Sequence, residues 1–119
     1  MELTGNPPEL RSVYVDPDEM EWCVSDFPGI RHKVLWSDPD SGRSTILFKL
    51  DPGAVVPPHE HTDVEQTWVI SGSFEDAEGT ALPGHYIWRP AGNRHEARSV
   101  DGAVILGFFL KPNKFDVEA

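Results

Sequence analysis

At 119 residues the chain has room for one domain with a single hydrophobic core and no need of covalent staples. Twenty Asp and Glu against ten Lys and Arg leave a net charge of −10 with neutral histidines, so neither nucleic acid nor an anionic membrane surface is an expected partner. No apolar run is long enough to cross a bilayer as a helix.

The first 30 residues are irregular, and Pro7, Pro8, Pro17 and Pro28 break any long helix. Arg11–Val15 is expected as a short strand. Trp22, Phe27 and Ile30 predict a mostly extended N-terminal arm, residues 1–30, packed on the rest of the fold or on a second subunit. The start, MELTGNPPEL, lacks the basic and apolar segments of a secretory signal. A lone cysteine, Cys23, forms no internal disulfide, so the expected location is cytoplasmic.

Residues 31–119 alternate strand and turn. The predicted strands are Arg31–Trp36, Ser44–Leu50, Val55–His61 and Val64–Ser71, followed by Ser73–Glu75, Thr80–Leu82, His85–Trp88, His95–Ser99 and Ala103–Leu110. Turn formers separate them: Ser37 to Gly42, Asp51-Pro52-Gly53, Asp76-Ala77-Glu78-Gly79 and Pro90-Ala91-Gly92-Asn93. Pro57 and Pro58 push the start of their strand to an edge or a bulge. The last strand, almost continuously apolar, reads as buried on both faces. Eight to ten short strands and no helical periodicity describe an all-β antiparallel barrel or jelly roll.

Two glycine-bounded blocks carry the chemistry. The first runs from Gly53 to Gly72 and holds His59, His61 and Glu65; the second runs from Gly84 to His95. Alternate residues of a strand share a face, so His59 and His61 project together. His95 closes a hairpin that returns it to them. With Glu65 they are the candidate ligands of one divalent transition metal, and Fe, Zn, Mn and Ni all accept such a set. Glu65 is preferred to Gln66 because carboxylate brings negative charge and because neighbours on a strand face opposite ways. A bulge at Thr62-Asp63-Val64 would instead turn Gln66 inward. His32 and His85 are expected to be ordinary histidines.

The blocks resemble the two motifs of the cupin superfamily, G-x5-H-x-H-x3-4-E-x6-G and G-x5-P-x-G-x2-H, with every one of those positions met. Where the family pattern goes on to Asn, this chain has Ser99, a position that holds no metal. The stretch from Phe27 to Asp76 is similar to two branches of small cupins: the zinc domain of a bacterial anti-sigma factor, and dioxygenases related to the acetylacetone-cleaving enzyme. The resemblance implies an antiparallel double-stranded β-helix (the cupin jelly-roll barrel) with metal inside, and often a homodimer. It carries His59, His61, Glu65 and His95 over as ligands. The dioxygenase branch implies three histidines without the carboxylate, which would leave Glu65 outside the ligand set.

A metal-dependent, Fe(II)-type dioxygenase acting on a small organic substrate is therefore the first functional expectation. A non-catalytic zinc-binding or small-molecule sensor cupin is the alternative, and a sugar isomerase or epimerase a third. Phe48, Phe74, Tyr86, Trp88, Phe108 and Phe109 are candidates for the cavity mouth. Arg89 and Arg94 are expected to be solvated turn residues. No activated serine or cysteine nucleophile, catalytic carboxylate pair or phosphate loop stands out.

Overall fold

A computed structural model describes residues 3–116. Within them eleven short strands build two antiparallel sheets, packed face to face as a jelly roll. They are β1 (Cys23–Val24), β2 (Ile30–Asp38), β3 (Arg43–Leu50), β4 (Val55–Glu60), β5 (Glu65–Gly72), β6 (Phe74–Glu75), β7 (Thr80–Ala81), β8 (Tyr86–Arg89), β9 (Arg94–Arg98), β10 (Ala103–Phe109) and β11 (Lys114–Phe115). One sheet runs β1-β2-β3-β10-β5-β8 and the other β11-β4-β9-β6-β7.

The core lies between the sheets and consists of inward-facing residues such as Ile30, Leu50, Val69, Phe74 and Ile105. β10 corrects one expectation. Its Ala103, Ile105, Gly107 and Phe109 are buried, whereas Phe108 on the opposite face is exposed. The apolar run therefore lines the core on one side only. The other side joins an apolar outer surface. In register, Leu106 stands between Leu47 and Trp68, and Trp68 pairs onward with Tyr86.

Arg11–Val15 forms no strand. It has no neighbouring strand to complete a ladder, its side chains are exposed, and Tyr14 is 94% accessible. The arm is extended, with single 3-10 turns at Pro8–Leu10 and Pro17–Glu19. Its fixed point is Trp22, over whose ring Lys33 Nζ sits 4.4 Å from the centroid, while that same Nζ donates to the Pro17 carbonyl at 2.6 Å. The second anchor, Phe27, packs on Phe115 with centroids 4.8 Å apart.

The two prolines of β4 produce a bulge, since its register against β9 shifts between Val56 and His59. They also leave the start of β4 at an edge, where Val55 and Val56 pair with β9 alone. β11 pairs only with His59 and Glu60, past the prolines that lack an N–H to give.

Candidate metal centre

The site begins with a register. Beyond the bulge, His59 on β4 stands directly opposite His95 on β9. His61 lies one residue past the end of β4 and is tied to the β8–β9 turn, its N–H donating to the Asn93 carbonyl at 2.8 Å while its own carbonyl accepts from Gly92 N–H at 2.7 Å. Three imidazoles from two strands and a turn thus reach one point. Among the described residues their ligand nitrogens form the one metal-type cluster, all within 4.8 Å of one another, and His59 and His61 are buried.

The far side of each ring is also defined. His59 Nδ1 lies 2.7 Å from the Pro57 carbonyl, and His95 Nδ1 2.9 Å from Asp76 Oδ2. Both partners only accept, so both Nδ1 atoms carry the proton and both Nε2 atoms present lone pairs. His61 Nδ1 faces Glu65 Oε2 at 3.2 Å. The Nε2 atoms converge, with His61 to His95 at 2.9 Å and His95 to His59 at 3.0 Å.

Burial keeps these rings neutral. Desolvation, and then the neighbouring imidazoles and Arg89, bring His61 down to about 3. Desolvation also holds His59 and His95 below the ordinary imidazole value, against the opposing pull of the Pro57 carbonyl and of Asp76. Burial pushes the Glu65 carboxyl up to about 7 although Arg89 opposes it. Asp76 goes the other way: its burial is outweighed by bonds from His95, Glu78 N–H and Gly79 N–H and by the Arg89 charge, leaving it below the ordinary carboxylate range.

Glu65 faces inward and Gln66 outward, where its side chain accepts from the Tyr86 hydroxyl. The Glu65 carboxylate stands behind His61, outside the cluster of three nitrogens, and touches the wall of the inner cavity. Arg89 corrects the sequence reading, being 7% exposed and bound to Asp76 Oδ2 at 2.7 Å. Arg94 is exposed and pairs with Asp116 at 2.6 Å. His85 is exposed, and its Nδ1 accepts from Leu82 N–H at 3.0 Å; His32 faces an outer cleft.

A cavity of about 90 Å³ adjoins the cluster and is lined by His59, His95 and Phe74 from the five-stranded sheet and by Glu65, Phe48 and Phe109 from the six-stranded sheet. Tyr86, Trp88 and Phe108, expected at its mouth, instead point out from the six-stranded sheet. Their places are taken by Phe27 and Phe115, the latter with its ring centroid 5.0 Å from that of His59. A larger open cleft of about 580 Å³ beside β7 and β8 reaches Asp76 and Arg89 but none of the three histidines.

The profile of the family described as "ChrR Cupin-like domain" matches residues 10–113, most of the chain. The chain belongs to this family of cupins. Solved structures share its fold. An acetylacetone dioxygenase from Acinetobacter johnsonii is 21% identical, with a TM-score of 0.82 over 99% of this cupin and 86% of that chain. A Methylibium petroleiphilum PM1 protein, proposed to be an acetylacetone dioxygenase, is 24% identical with the same TM-score over 98% of this cupin and 86% of its own chain. The anti-sigma factor ChrR of Rhodobacter sphaeroides, in complex with SigE, is 20% identical with a TM-score of 0.67 over 77% of this cupin and 49% of that chain. At such identities the likeness concerns the fold. None of the curated proteins matches the sequence at a significant level.

Proposed function

We propose that this cupin holds one divalent transition metal through Nε2 of His59, His61 and His95 and acts as a metal-dependent dioxygenase on a small, weakly polar organic molecule. The observation that carries the metal is the meeting of three neutral imidazoles, two with their protons committed to the far side of the ring. Lone pairs that converge in a buried place repel unless a cation lies between them. Three nitrogens ~2.1 Å from one ion stand roughly 3.0 Å apart at right angles and roughly 3.4 Å apart at the tetrahedral angle. Two of the three separations, 2.9 and 3.0 Å, are of the size that one shared ion would set.

A bound metal of this kind would supply a template for an oxygen-donor substrate and dioxygen. The protein's own part is selection and exclusion of water. The inner cavity of about 90 Å³ is walled largely by phenylalanines, with Glu65 as its charged lining residue, and it shares Phe27, Phe48, Phe109 and Phe115 with an open cleft of about 450 Å³. Phe115 lies against His59 and Phe27 packs on Phe115, so the two rings border both the inner cavity and the open cleft beside it. The acetylacetone dioxygenase folds support a small dicarbonyl as the first substrate to try.

The test is metal analysis of protein purified without added metal, followed by oxygen uptake with small dicarbonyl, phenolic and thiol compounds. Iron-loaded protein that consumes oxygen with one of them supports the dioxygenase. Tightly held zinc and no oxygen uptake after iron loading supports the second reading, a non-catalytic zinc or sensor domain, which the ChrR-type family match favours.

The same reading includes a homodimer. The outer face of the six-stranded sheet exposes Trp68, Ile70, Tyr86, Trp88 and Phe108 at 39–59%. A contiguous apolar face on a chain of net charge −10 is best covered by a second copy, which brings an identical apolar face.

A further inference from the structure

Behind the three histidines lies a second layer of charge, in which Glu65 is a fixed motif position, Arg89 occupies an unspecified position of the second block and Asp76 lies outside both. Arg89, the last residue of β8, pairs in register with Glu65, the first of β5, and both point inward. Its Nη1 meets Asp76 Oδ2 at 2.7 Å and its Nε lies 3.7 Å from Glu65 Oε2. Each of those oxygens also faces an imidazole Nδ1: Asp76 Oδ2 that of His95 at 2.9 Å, and Glu65 Oε2 that of His61 at 3.2 Å. One buried guanidinium therefore sits between two carboxylates, and each carboxylate backs a different histidine of the cluster.

Asp76 is aimed by its own turn. Its Oδ1 accepts from Glu78 N–H at 2.8 Å and Gly79 N–H at 3.1 Å, which leaves Oδ2 for Arg89 and His95. The turn that closes the β6–β7 hairpin thus also fixes the tautomer of a histidine on β9. The His61 side is looser. His61 Nδ1 and Arg89 Nε have no aligned hydrogen-bond partner, so the Glu65 contacts are electrostatic.

Resting on the metal reading above, we propose that Asp76 and Arg89 are positioning residues of this centre: Asp76 holds His95 with its proton on Nδ1, and Arg89 holds Asp76 and Glu65 in place behind their histidines. The charges also suit a cation. Two carboxylates and one guanidinium give the layer a single negative charge when all are ionised, which complements a divalent ion.

The test has two arms. In the first, nitrogen–proton correlation spectra of imidazole-labelled wild-type protein, freed of metal, report the tautomers. The expected result is Nδ1–H for His95; Nε2–H there overturns the proposal whether or not the protein binds metal. In the second, titration with Co2+ measures affinity and the visible spectrum in Asp76→Asn, Arg89→Gln and Arg89→Lys, with Arg94→Gln as an exposed control. Asp76→Asn and Arg89→Gln are expected to weaken Co2+ binding by about 10–100-fold and to alter the cobalt spectrum. Arg89→Lys, which keeps the charge, should recover part of the loss, and Arg94→Gln should change nothing. Folded Asp76→Asn protein with wild-type affinity and spectrum overturns the proposal. Wild-type protein that takes up no Co2+ removes the metal reading, while the tautomer arm still judges Asp76.

Discussion

His59 Nε2 and His95 Nε2 lie 3.0 Å apart with no proton to share between them. The Pro57 carbonyl and the Asp76 carboxylate have already taken the Nδ1 protons of both rings. A divalent ion turns that repulsion into bonding, and a ligand bound only by the native state stabilises it, by about 2.7 kcal/mol at a hundredfold excess over Kd. Removing metal with a chelator should therefore lower Tm by several degrees, and restoring it should reverse the loss. His59→Ala and His95→Ala should abolish this metal-dependent shift, whereas His32→Ala, on an outer cleft, should leave it intact. Equal Tm with and without metal would contradict the site.

Acid should destabilise the metal-free protein. His61 stands at about 3 in the fold against about 6.5 in an unfolded chain, so between those values the unfolded state binds the extra proton. The His61 contribution to stability is complete above about pH 6.5 and is lost as the pH drops toward 3. His59 and His95 shift the same way and add to the slope. Glu65, raised to about 7 from 4.5, acts in the opposite sense, with stability lost as pH rises through 7. Three imidazoles outweigh one carboxyl below pH 6.5. Urea midpoints of metal-free protein should fall from pH 6.5 to pH 5, and His61→Gln should flatten the decline; a midpoint that rises toward pH 5 contradicts this account.

The centre was legible in part because strand parity is local. His59 and His61 share a face by the period of two, and parity puts Glu65 rather than Gln66 on the inner side, although its carboxylate, the expected fourth ligand, stands behind His61 and outside the three nitrogens. Asp76 and Arg89 were hidden because their meeting depends on which strands pair: β5 with β8 brings Arg89 to Glu65, and β6 with β9 brings the Asp76 turn to His95. The same holds for the aromatics. Strand composition says that Trp88 and Phe108 suit a half-buried surface, but only the register says that they look outward. β11, two residues long, has no pattern of its own, yet it delivers Phe115 to His59.

The outward aromatics carry a prediction about assembly. Trp68 and Trp88 stand on adjacent strands of the six-stranded sheet, 43% and 59% exposed, on the side away from the histidines. Light scattering of the wild-type protein should give twice the chain mass. Trp68→Lys combined with Trp88→Lys should give single chains whose metal-dependent Tm shift survives, since Thr67 and Glu65 on the inner face are unchanged. A monomeric wild-type protein at tens of micromolar would rule out the dimer.

Two motif glycines separate backbone strain from packing. Gly53 and Gly72 both sit at positive φ, 83° and 75°, where a residue with a Cβ costs about 1–2 kcal/mol. A Cβ on Gly53 would meet nothing within 4 Å, so Gly53→Ala should cost no more than that strain. A Cβ on Gly72 would lie 1.8 Å from the Gly102 carbonyl oxygen and 2.7 Å from Ala103 Cα. Those atoms are backbone, and Gly72 pairs with Ala103 across the β5–β10 ladder, so neither side can yield without breaking it. Gly72→Ala should therefore be the costlier by several kcal/mol, enough to leave much of the chain unfolded at 37 °C, given the usual margin of about 5–15 kcal/mol. Urea unfolding of the two variants decides it: equal losses would mean that φ alone sets the cost and that the contact between Gly72 and Gly102 is not part of the fold.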